Sequence, residues 1–146
     1  MSVRLALVLA ALGLAAPAAA AKTPLPGIRT PSGNISCFYV PGRPSVLHCQ
    51  IEKADYSAKL VAYCGQPRIG VDWAGFSLGP RTKGSVSCSG GVLYSPDTQR
   101  PVFTTLGYGR TWRQGAFTCT SRITGLTCEN RAGHGLFISR ESWRGW

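Results

Sequence analysis

The groups from which this 146-residue chain would have to build a catalytic site are few: two histidines, six carboxylates and a scatter of serines. His134 is the most suggestive, because Gly133 and Gly135 flank it and leave the backbone free to bring the imidazole close to a ligand. The same glycines serve equally well in a hairpin turn. As a general base, His134 would need a serine nucleophile and a carboxylate such as Asp72 or Asp97 to orient it, which would make a small hydrolase. No G-x-S-x-G elbow marks the nucleophile, and Glu52, Asp55, Asp72, Asp97, Glu129 and Glu141 carry no motif of a paired glycosidase acid and base. His48 alternates with Leu47, Cys49 and Ile51, which places it on the opposite strand face as a surface or half-buried residue. Two isolated histidines and few acids suit neither zinc nor calcium, and the glycines match no phosphate-binding fingerprint. No metal and no cofactor are expected.

Binding chemistry is better represented. Tyr108-Gly109-Arg110-Thr111-Trp112-Arg113 and Trp143-Arg144-Gly145-Trp146 set guanidinium groups beside indoles, which can stack on bases or sugars or sit at a membrane interface. The competing arrangement buries the tryptophans in the core and lays the arginines over their edges. Sixteen basic residues against six acidic ones give a formal charge of +10. Such a protein collects at anionic polymers, whether envelope components or, as a lesser candidate, free nucleic acid. The charge also serves plain solubility, and the basic residues are spread through turns and form no single block.

The elements that must position these groups begin after an export signal. Arg4, the apolar run Leu5 to Leu14, and the small residues Ala15 to Ala21 have the form of a signal peptide over 1–21, cleaved near Ala20 and Ala21. The run falls short of the roughly 20 apolar residues that span a bilayer, so no membrane anchor is expected. A secreted or periplasmic location follows, and there six cysteines read as three bridges. Ile35, Cys37 and Tyr39 share one strand face, as do Leu47, Cys49 and Ile51, with a turn at Pro41-Gly42 between them. Six cysteines allow 15 pairings, and this patterning favours one of them: Cys37 with Cys49 across a hairpin, Cys119 with Cys128 by the same logic, and Cys64 with Cys88.

Glycine and proline punctuate the remainder into short segments, which predicts an all-β fold, a small antiparallel sandwich or barrel stapled by three disulfides. Strands are expected at 34–40, 46–51, 59–64, 73–78, 85–89, 91–94, 101–106, 115–120, 124–128 and 135–139. Between Ala54 and Tyr63 the spacing of Tyr56, Leu60 and Tyr63 suits a helix as well as it suits a strand or loop. Ser139 to Trp143 has the form of a short terminal helix capped by Ser139. The prolines of 22–31 suggest an extended arm, with the β domain occupying 32–146.

Pro31-Ser32-Gly33-Asn34-Ile35-Ser36-Cys37, Thr124-Gly125-Leu126-Thr127-Cys128-Glu129-Asn130 and Gly133-His134-Gly135-Leu136-Phe137-Ile138-Ser139-Arg140 resemble the opening and closing motifs of a family of exported bacterial proteins with six cysteines. That family carries a domain of unknown function, so the resemblance implies no catalytic or binding residue. It implies that Gly133, His134, Gly135, Ser139 and Arg140 form a deliberate local structure. The expectation is a small exported domain that binds an anionic envelope component or an extracellular protein through His134, Arg140, Arg110, Trp112 and Arg113, with a hydrolase using His134 as the alternative.

Overall fold

A computed structural model of the protein describes residues 23–65, 71–90 and 99–146. Eleven strands and one helix follow in chain order: β1 Leu25–Arg29, β2 Ile35–Val40, β3 Val46–Ile51, α1 Ser57–Gly65, β4 Asp72–Leu78, β5 Ser85–Ser89, β6 Pro101–Thr105, β7 Thr111–Gln114, β8 Phe117–Arg122, β9 Gly125–Asn130, β10 Gly135–Ile138 and β11 Trp143–Gly145. They make two sheets, one in the order β5-β4-β3-β2-β1-β6 and one in the order β11-β10-β9-β8-β7. Every pairing is antiparallel except β1 with β6, which is parallel.

The sheets face each other over a core that period-two alternation supplies from both sides. Ile28, Ile35, Cys37, Leu47, Cys49, Phe76 and Leu78 come from the first sheet, and Phe117, Cys119, Leu126, Cys128, Leu136 and Ile138 from the second. The expected all-β sandwich is therefore the fold, with all three expected bridges formed. Cys37 and Cys49 are direct cross-strand partners, as are Cys119 and Cys128. The sulfurs of Cys37, Cys49 and Cys128 lie within 4.8 Å of one another, so the two bridges meet in the middle of the core.

Several expectations need correction. Residues 25–29 are no arm: they form β1, held between β2 and β6. Pro26 is tolerated because the register with β2 starts one residue later, at Gly27. A side chain at Gly27 would collide with the Phe103 ring and the Cys37 carbonyl, so glycine is what lets β6 pack there. The 59–64 segment is α1, which buries Leu60 and Cys64 and presents Tyr63 to solvent. In place of a terminal helix the chain forms β11, and Ser139 organises the preceding turn by accepting hydrogen bonds from the backbone N–H groups of Glu141 and Ser142. The strand expected at 91–94, like Asp97 and the signal at 1–21, lies outside the described residues.

His48 is the clearest correction. It does lie on the face opposite Leu47 and Cys49, yet it is only 3% exposed, because that outer face has a small apolar layer of its own. The rings of Phe38 and Phe103 pack there, with His48 5.3 Å from Phe38. β4 is bulged between Trp73 and Phe76 in its pairing with β5, and two carbonyls of that stretch take side-chain hydrogen bonds. His48 Nε2–H donates to Ala74 O at 2.9 Å, and the Trp73 indole donates to Gly75 O at 2.8 Å. Gly75 holds a φ of +106°, and a side chain there would run into the Cys49 carbonyl.

Candidate functional site

The motif Gly133 to Arg140 is a sequence of structural duties spread along the whole length of β10. Asn130, which is buried, uses its side-chain oxygen to accept from the N–H groups of Ala132 and His134, and its amide to donate to Gly79 O and Thr82 O. That bonding shapes the β9–β10 turn and ties it to the β4–β5 loop. Gly133 takes the left-handed conformation of the turn at φ +84°. Leu136 and Ile138 enter the core, while Ser139 O accepts a hydrogen bond from the Tyr56 hydroxyl at 3.0 Å. Burial and, secondarily, the nearby Glu141 charge push the Tyr56 phenol up to about 12.

His134 and Arg140 consequently sit at opposite ends of a strand and do not act on one ligand atom. The His134 imidazole makes no hydrogen bond with a serine or carboxylate among the described residues, and Asp72 lies exposed on β4 in the other sheet. Arg140 pairs with Asp55 at 3.3 Å in an exposed contact of small energetic weight. Trp112 turns inward and packs against the core, so its ring is committed to stability. Arg113, its neighbour in a strand of period two, turns outward and is exposed.

Arg113 opens onto the feature that sequence reasoning missed as a unit, the outer face of the second sheet. The register aligns Thr111, Thr120, Thr127, Phe137 and Arg144 in one row across β7, β8, β9, β10 and β11. A second row runs Arg113, Thr118, Glu129 and Gly135, and Trp146 continues it by exchanging both backbone hydrogen bonds with Gly135. Thr111 and Thr120 hydroxyls are 3.2 Å apart. No described helix or strand packs on this face. Two rings pack against glycines on it, Phe137 at Gly125 and Trp146 at Gly135, where any side chain would collide with the ring. The Arg144 guanidinium stacks 5.1 Å from the centre of a Trp146 ring. Among the described residues Arg113, Arg122 and Arg144 pair with no carboxylate. The alternation Thr118, Thr120, Arg122 was the available signal, had it been read as a face.

At one end this face rounds into a cleft of about 580 Å³ between the sheets, lined among others by Arg29, Lys53, Tyr108, Arg122, Arg140 and Glu141. Arg122 belongs to both surfaces. The Arg29 guanidinium rests 5.1 Å over Phe103, and Ile123 stands at the rim with 85% of its surface exposed. Arg110 lies in the turn before β7, at this same end, where Gly109 and Arg110 bond to the Ser121 backbone. No site for a metal arises from the clustered sulfurs, since both bridges are closed and offer no thiolate.

These features define a disulfide-stapled β-sandwich with one open, arginine-bearing sheet face. Three bridges fit an oxidising compartment, and among the described residues no helix is long and apolar enough to cross a membrane. Residues 6–144 match the model of a family described as "Family of unknown function (DUF6636)", and the chain belongs to that family. No curated protein and no solved structure matches it.

Proposed function

We propose that the protein is an exported, non-enzymatic binding domain that holds an anionic polymer of the cell envelope or its surroundings on the outer face of the second sheet. The supporting observation is the set of exposed arginines on that face, Arg113, Arg122 and Arg144, none of which is neutralised by a carboxylate among the described residues. Arginine, not lysine, supplies every cation between 101 and 146, and its planar fork suits carboxylates and phosphates in two-point contact. Export rests on the signal-like first 21 residues together with the disulfides.

The test is retention of the oxidised domain on an immobilised polyanion, measured across a salt gradient. Binding should weaken steeply with salt, because each contact releases condensed counterions. The triple variant Arg113→Gln, Arg122→Gln, Arg144→Gln should elute at much lower salt than the parent. A parallel triple of Arg43→Gln, Lys59→Gln and Arg81→Gln, equal in charge but elsewhere on the surface, should elute close to it. Equal loss from both triples would reduce the effect to net charge and remove the reason for assigning this face.

A further inference from the structure

We infer that the polymer held on this face is an acidic polysaccharide, with its sugar rings seated on Phe137 and Trp146 and its carboxylates held by the flanking arginines. The inference rests on the anion-binding reading above and adds the chemical class of the ligand. Charge alone would be served by arginines on any scaffold. Here the face also carries two half-buried aromatic rings on the side of the sheet away from the core, Phe137 against Gly125 and Trp146 against Gly135, with the Arg144 guanidinium over the Trp146 ring, where it can meet the carboxylate of a sugar seated beside it. The π face is the negative part of an aromatic ring, and the C–H bonds on the apolar side of a pyranose are its positive counterpart. Around the rings stand Thr118, Thr120 and Thr127, short hydroxyls that can donate to and accept from the many hydroxyls of a sugar. Glu129 adds an acceptor in the same row as Arg113.

The geometry suits a linear chain. Five adjacent strands at about 4.8 Å spacing make a track of roughly 19 Å along the row from Arg113 to Trp146, enough for several linked pyranose rings. The cations lie near the ends and edge of the track, with Arg113 on β7, Arg122 at the end of β8 and Arg144 on β11, and the rings lie between and beside them. A nucleic acid could also stack on aromatic rings, but the short threonine hydroxyls and the Glu129 acceptor between them match the hydroxyls that a glycan carries on every ring.

The experiment compares polygalacturonate oligomers, polyphosphate of matched charge and neutral dextran, by calorimetry and by NMR shifts of the intact oxidised protein. Polygalacturonate should bind at least about tenfold tighter than polyphosphate at the same salt, and dextran should bind weakly. Trp146→Ala should lower polygalacturonate affinity by about tenfold, in the range that loss of one stacked ring gives, while leaving polyphosphate affinity within twofold. Because Trp146 also covers Gly135, Thr127→Val serves as a second variant that keeps the fold and removes one hydroxyl, with an expected drop of about threefold for the glycan only. If polyphosphate and polygalacturonate bind equally and the ring variant affects neither, the glycan inference falls while anion binding stands. If neither polyanion binds at low salt, the underlying reading falls with it.

Discussion

The three bridges should yield to reductant in an order set by burial, opposite to the order set by loop length. A thiol must reach a sulfur to open a disulfide. Cys37, Cys49, Cys119 and Cys128 are each at most 1% exposed, so attack on their bridges requires the sheets to part. Cys88 lies exposed on β5, and its bridge to Cys64 can be attacked in the folded protein. That bridge spans 24 residues, against 12 and 9 for the others. Loop-closure entropy makes it worth about 3.4 kcal/mol. A domain of this size loses about 3 to 5 °C of Tm per kcal/mol, so its removal should lower Tm by about 10 to 17 °C and still leave a folded protein. The assay is timed treatment with a phosphine reductant at 25 °C, alkylation, and peptide mapping by mass spectrometry beside thermal melts. Cys64 and Cys88 should be labelled together and reach a plateau, with the other four labelled only in denaturant. Labelling of Cys119 or Cys128 on the same time course as Cys88, or an unchanged Tm in the singly reduced form, would refute the reasoning.

Stability should also fall on mild acidification through His48. Burial holds its folded pKa below the ordinary 6.5, so between the two values the unfolded chain takes up a proton that the folded chain refuses. Its contribution is complete above about pH 6.5 and declines as pH drops through that window, by at most about 1.4 kcal/mol per pH unit. Urea melts at pH 7.5 and pH 5.5 should show the decline, and His48→Gln, which keeps a donor for Ala74 O, should flatten it; an identical slope in the variant would assign the effect elsewhere. Ser121, fully buried in β8, has a hydroxyl with no hydrogen-bond partner among the described residues. Ser121→Ala should therefore be neutral or stabilising by about 1 kcal/mol in the same melts, and a loss above about 1 kcal/mol would show that the hydroxyl has a partner in solution.

How far the sequence disclosed this structure depends on whether the signal was local. The hairpin of β2 and β3 was legible because Cys37 and Cys49 share the phase of their apolar neighbours, and 46–51 coincides with the observed strand. β1 was hidden because Pro26 and Gly27 read as linker residues, and their tolerance depends on where the β2 register begins and on the Phe103 ring from a strand more than seventy residues away. β7 and β11, at four and three residues, carry too little periodicity to announce themselves. The burial of His48 follows from a bulge in β4 that offers it a carbonyl, and that bulge has no signature in the sequence around His48. At the site, the turn motif around His134 attracted attention through composition, whereas the threonine and arginine face emerges only when five strands are set in register.

The placement of the bridges makes this molecule divisible. Every disulfide joins residues on the same side of the 106–110 connection, two before it and one after. A single cut there, for which the exposed Arg110 is a ready tryptic site, would leave two pieces with no covalent bond between them. One piece would carry all six strands of the first sheet and the other all five of the second, each keeping its own cross-strand bridge. The apolar seam and a few hydrogen bonds across it, such as those of Asn130 to Gly79 and Thr82 and of Tyr56 to Ser139, would hold them together, which makes the pair a natural candidate for fragment complementation, with reassembly itself reporting on the seam's strength.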